Sequence, residues 1–196
     1  MGRGGDTAEE VTVSQADLEV VARQLGREPR GVIEIAYYTP DGVPAVVKTV
    51  PRLPDGTPFP TLYYLTDPRL TAEASRLESA GVMREMTARL ESDPEVAAAY
   101  RRAHESFLAE RDAIESLGTD FSGGGMPDRV KCLHVLIAHS LAKGPGVNPF
   151  GDEAVALAGR NGLAGTAVPP DWPGVADAGA SEATGNVTGA SEATGK

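Results

Sequence analysis

Val32-Ile33-Glu34-Ile35-Ala36-Tyr37-Tyr38, followed by Thr39-Pro40-Asp41-Gly42, is the stretch on which the fold turns. It alternates and is rich in β-branched and aromatic side chains, which fit a half-buried pleated surface. A strand over residues 32–38 would place Ile33, Ile35 and Tyr37 on one face. The four residues after it are turn chemistry, with proline fixing φ and glycine supplying φ > 0. Residues 45–50 read as a returning strand, so the pair makes a hairpin. Residues 51–60 hold four prolines and a second Pro-Asp-Gly turn. Proline has no N–H for a ladder, so this segment is not a central strand. Residues 61–66 read as a third strand.

Outward from the meander the period becomes helical. On the N-terminal side, Ser14-Gln15-Ala16-Asp17 is a capping box before Leu18, Val21, Ala22 and Leu25, with Gly26 as the stop. On the C-terminal side, Asp67-Pro68 and Asp93-Pro94 each put a capping side chain before a proline at the first helical position. The first opens a helix ending near Gly81, and a shorter helix carries Val82, Met86 and Leu90. The second opens a long helix with Val96, Tyr100, Ala103, Phe107 and Ile114 on one stripe. After Gly123-Gly124-Gly125-Met126, a helix is expected over residues 127–143. Gly144-Pro145-Gly146 ends it, Asn148 and Pro149 continue the loop, and Gly151-Asp152 opens a last short helix. The expected fold is α+β: an N-terminal helix, a three-stranded antiparallel meander, then a cluster of four to five helices.

The domain is expected over residues 14–161, with disordered residues 1–13 before it and a disordered acidic tail over 162–196. The tail carries Gly-Ala-Ser-Glu-Ala-Thr-Gly twice, at 179–185 and 189–195. Such a segment has little apolar surface to offset its ordering entropy. Trp172, between Pro170 and Pro173, reads either as a docking residue or as an exposed one.

The 196 residues suit one domain. A net charge of -10 and a pI near 4.8 argue against nucleic acid and anionic membranes as partners. No apolar run reaches the ~20 residues that span a bilayer. The single cysteine, Cys132, and the polar start of the chain point to the reducing cytoplasm.

Three blocks carry a family resemblance. They are residues 51–66, PRLPDGTPFPTLYYLT; residues 124–136, GGMPDRVKCLHVL; and HSLA at 139–142 running into GPGVNP at 144–149. Over roughly residues 17–158 the chain resembles an uncharacterised actinobacterial family, the domain of unknown function 501. The resemblance implies no established activity. It implies an association with genes for enolase, a septum-formation protein and an exopolyphosphatase-like enzyme. It also implies cysteines in some relatives at the positions of Thr39 and Asp67, so a cysteine-based metal site common to the family would be broken in this chain.

Cys132, His134, His139 and His104 are soft ligand types. On a helix over 127–143, however, Cys132 and His134 would point about 200° apart, and Cys132 and His139 would lie roughly 10 Å apart along the axis. The expectation is therefore no metal, no cofactor, and a small buried thiol. The same geometry keeps Cys132 and His139 from meeting as a nucleophile and base. Glu78, Glu85, Glu105 and Glu110 read as solvated helix faces.

The glycine loop is the other candidate. A helix starting at Pro127 would offer unpaired N–H groups to an anion, with Gly124 and Gly125 allowing close approach and Arg129 and Lys131 adding charge. Arg52, His104 and His134 complete the candidate ligand-binding set. The function expected is a binding or regulatory module using the Pro-rich segment around Phe59, with a protein partner or a small anionic ligand. The alternative is a small enzyme acting on an anionic metabolite, phosphorylated ones included, at the glycine-loop helix start.

Overall fold

A computed structural model describes residues 13–176. The opening residues expected to be disordered, and both heptamers, lie outside the described residues save for Val13 itself. The first helix, α1 (Gln15–Leu25), begins as its capping box dictates. Ser14 Oγ accepts from Asp17 N at 3.1 Å and donates to Asp17 Oδ2 at 2.6 Å. Gly26 closes it with φ 66°.

Strands β1 (Val32–Tyr38), β2 (Pro44–Thr49) and β3 (Tyr63–Leu65) form one antiparallel sheet in that order. The hairpin turn closes through Gly42 N to Thr39 O at 2.8 Å. β2 is central, and Ala45, Val46 and Val47 are buried. The simple alternation expected for β1 fails. Its register shifts between Val32 and Glu34 and again between Ile35 and Tyr37, so Ile33 is 37% exposed while Ala36 and Tyr37 pack on the core.

Helices α2 (Pro68–Ser79), α3 (Val82–Ser92) and α4 (Pro94–Ile114) follow. Asp67 caps α2 by accepting from Arg69 N and Leu70 N, and Asp93 caps α4 by accepting from Glu95 N and Val96 N. Thr39 and Asp67 lie in one network here. Thr39 hydrogen-bonds Asp41, and Arg69 bridges Asp41 at 2.6 Å and Asp67 at 2.8 Å.

α5 (Leu133–Lys143) runs through the middle of the molecule, against β3, α2 and α6 (Pro149–Ala158). Leu133, Leu136, Ile137, Ala138 and Leu141 are buried. Each full burial of a Leu or Ile side chain contributes about 1.5–3 kcal/mol, so packing rather than propensity fixes this helix. The His139 ring stacks on Tyr63 at 5.8 Å and meets the edge of Phe107 at 5.4 Å.

Three expected boundaries move. α5 begins six residues after Pro127, at Leu133. The residues between are held in a compact turn: Lys131 N donates to Gly124 O at 2.7 Å, Arg129 N to Gly125 O at 3.1 Å, and Val130 N to Thr87 Oγ1 at 3.0 Å. Cys132 is extended, with φ -152° and ψ 113°. α6 begins at Pro149, because Asn148 Oδ1 accepts from Gly151 N at 3.0 Å and caps it. The ordered chain also runs past residue 161. After a π-turn at Gly159–Leu163, Ala167, Val168 and Trp172 are buried, and Trp172 Nε1 donates to Asp152 O at 3.2 Å. Tyr37 Oη donates to Ala167 O, tying this segment to the sheet. Trp172 is thus a core residue, 5% exposed, and neither a docking residue nor an exposed one. No helix among the described residues is long and apolar enough to cross a membrane.

Candidate functional site

The start of α5 gathers three side chains from two helices. Cys132 occupies the N-cap position, His134 lies in the first turn, and Glu78 comes from the last turn of α2. Cys132 Sγ is 3.8 Å from His134 Nδ1, and His134 Nδ1 is 3.1 Å from Glu78 Oε1. The three ligand atoms all lie within 4.8 Å of one another. The expectation that Cys132 and His134 diverge rested on a helix through both. Cys132 is extended, so its side chain leaves the chain before the helical 100° step applies.

The first N–H of α5 is satisfied from outside the helix. Leu133 N donates to Glu78 Oε1 at 2.7 Å. A carboxylate at the electropositive helix start is favourable, and it holds α2 against α5. Glu78 is therefore not a solvated acid. His134 Nε2 lies 3.4 Å from Ser75 Oγ, one turn earlier on α2.

These neighbours shift both titrating groups. The Cys132 hydrogen bond pushes the His134 imidazole up to about 9, with burial opposing and Glu78 assisting. Burial pushes the Cys132 thiol up, but the contacts to His134 and to the Val135 N–H together leave it below its ordinary value. The geometry is not that of a nucleophile relay. A relay needs thiol and carboxylate on opposite ring nitrogens, whereas Sγ and Oε1 both face Nδ1. Three donor atoms within 4.8 Å of one another suit a bound cation better.

Cys132 and His134 line a cleft of about 460 Å³ between α1, β3 and the start of α5. Gln24, Tyr64, Thr66 and Thr71 contribute to its walls. Two buried polar atoms of this wall have no hydrogen-bond partner among the described residues. Gln24 Nε2 donates to Pro44 O at 2.8 Å, which leaves Oε1 unpaired. Thr66 is 2% exposed and its Oγ1 has no partner. A neighbouring cleft of about 500 Å³, lined by Leu53 and Phe59, shares Leu25 and Tyr64 with the first.

The other expected site residues are held in separate contacts. Arg52 pairs with Glu115 at 2.9 Å and donates to Gly56 O. His104 Nδ1 meets Ser122 Oγ at 2.9 Å, and burial with Arg101 nearby lowers its pKa. Arg129 and Lys131 are exposed. The glycine loop lacks the helix start that an anion site needs, since α5 begins at Leu133. Its glycines serve packing instead. A Cβ on Gly124 would stand 2.8 Å from Leu136, and one on Gly125 would stand 2.8 Å from the Arg129 carbonyl oxygen. Of the expected set, His134 alone lies on the cleft. Gln24 and Thr66 were missed, and Glu78 reads in the sequence as a solvated acid; their polar atoms gain meaning only once α1, α2 and β3 are packed on α5.

No curated protein and no solved structure matches the chain. The family described as Protein of unknown function (DUF501) matches residues 35–156, which hold the sheet from Ile35 and α2 through Ala156 of α6. The match covers more than half of the chain and includes Glu78, Cys132 and His134, and on that basis the chain belongs to the DUF501 family.

Proposed function

We propose that the chain is a binding module for a small molecule, held in the cleft between α1, β3 and α5. The observation that carries this reading is the pair of buried, unpartnered atoms in the cleft wall, Gln24 Oε1 and Thr66 Oγ1. A buried polar group without a hydrogen bond costs about 1–3 kcal/mol. A ligand with a donor for Gln24 Oε1, and a donor or acceptor for the Thr66 hydroxyl, would remove that cost. The apolar surface of Leu25 and Tyr64, continuing toward Leu53 and Phe59, suits a flat apolar portion of the same ligand. The Pro-rich segment around Phe59 thus serves as the apolar end of the groove. A reducing cytoplasm, which keeps Cys132 as a thiol, fits this role.

The experiment is amide chemical-shift mapping of the full chain against a panel of small polar aromatic fragments. Binders should perturb Gln24, Tyr64, Thr66 and Val135 together. Perturbations that cluster at Arg129 and Lys131 instead would return the site to the glycine loop and overturn this reading.

A further inference from the structure

We propose that Glu78, Cys132 and His134 form a binding site for a borderline-soft divalent cation, zinc(II) by ligand chemistry, on the edge of the cleft. The spacing supports it first. With metal–sulfur bonds of about 2.3 Å and metal–nitrogen and metal–oxygen bonds of about 2.0–2.1 Å, the edges of a tetrahedron come to about 3.4–3.6 Å. Sγ to Nδ1 is 3.8 Å and Nδ1 to Oε1 is 3.1 Å. These two edges lie within about 0.3 Å of the tetrahedral values, and the Sγ–Oε1 edge is under 4.8 Å, so a modest inward turn of the Cys132 and Glu78 side chains completes the site.

The donor chemistry agrees. One thiolate, one imidazole and one carboxylate is a set that zinc accepts and that magnesium or calcium, which want oxygen alone, do not. The charges also close. A thiolate and a carboxylate neutralise a divalent ion, with His134 neutral, so the half-buried site carries no net charge.

The surroundings orient the ligands. Ser75 Oγ stands by His134 Nε2, which puts the ring proton on Nε2 and leaves the Nδ1 lone pair for the ion. Leu133 N holds the Glu78 carboxylate at 2.7 Å. Cys132 at the N-cap and His134 in the first turn are both placed by the buried helix α5, a regular element that positions ligands more closely than a loop does.

Three protein ligands leave a fourth position. Cys132 and His134 line the cleft, so that position opens toward it. An open position beside a ligand cleft is the arrangement of an ion that exchanges ligands rather than a closed structural ion. This last step rests on the small-molecule reading above; the ion site itself does not.

The test is cobalt(II) titration of the reduced full chain, with zinc(II) as competitor. The expected result is one cobalt per chain, with a near-ultraviolet thiolate-to-cobalt band and tetrahedral visible bands that zinc abolishes. Cys132→Ser should lose the thiolate band. Ser75→Ala, which touches no ligand atom of the site, should weaken binding by about tenfold or more while its circular dichroism stays that of the parent. The proposal is overturned if the folded parent shows no thiolate band at micromolar cobalt, or if the band survives in Cys132→Ser. Cobalt binding without fragment shifts at Gln24 and Thr66 would leave the ion site standing and remove only the cleft ligand.

Discussion

His134 Nδ1 lies 3.1 Å from Glu78 Oε1, across two helices and 56 residues of chain. The same oxygen accepts the first N–H of α5. One carboxylate therefore fixes both where α5 begins and how the His134 ring is turned. In metal-free protein, Glu78→Ala should cost about 1–2 kcal/mol, the range of a lost helix cap. Glu78→Gln keeps an acceptor for Leu133 N and should cost less. Equal melting midpoints for the parent and Glu78→Ala would show that the carboxylate caps nothing.

The pH dependence of stability should carry a mark of His139. It is fully buried between Tyr63 and Phe107, and Asn148 Nδ2 donates to its Nδ1 at 3.3 Å. Burial lowers its pKa from 6.5 to about 4, with Glu110 opposing and Lys143 assisting. Between these values the unfolded chain binds the proton and the folded chain does not. Stability from this group is thus complete above pH 6.5 and falls as pH drops toward 4, by about 3 kcal/mol in all. Urea melts across that window should show this slope, and His139→Gln should flatten it. A slope unchanged in the variant would assign it to other groups.

Trp172 should matter to folding. Its ring is buried and its Nε1 donates to Asp152 O. Trp172→Ala should cost about 3–5 kcal/mol, as for other buried aromatic truncations. A change under about 1 kcal/mol in a denaturant melt would mean that residues 163–176 pack only loosely.

Gly125 separates the two readings of the glycine loop. At φ 89°, with the Arg129 carbonyl oxygen 2.8 Å from a built Cβ, it has no room for alanine. Gly125→Ala should cost about 1–3 kcal/mol through overpacking. A variant as stable as the parent would point to an open loop available to a ligand.

How far the sequence reached is clearest at the helix starts. Ser14, Asp67 and Asp93 cap their helices through neighbours two or three residues away, so local pattern sufficed. Proline after a glycine run looked like the same signal at Pro127. There the deciding contacts are distant: Thr87 takes Val130 N, and Glu78 takes Leu133 N. The misplaced start hid the meeting of Cys132 with His134. The alternation in β1 misled for a related reason, since bulges that depend on pairing with β2 shift its faces. At the C-terminal end, polarity and prolines masked Val168 and Trp172, whose burial needs α6 and the sheet already in place.

Thr66→Val tests the central claim most directly, because it removes one unpartnered hydroxyl of the cleft and little else. If that hydroxyl serves a ligand rather than the fold, the variant should melt about 1 kcal/mol higher than the parent, or some 2–4 °C for a chain of this size. A fragment that maps to the cleft should at the same time bind it about tenfold more weakly. A variant that melts several degrees lower and binds the fragment as tightly as the parent would contradict the account, since Thr66 would then belong to the fold alone.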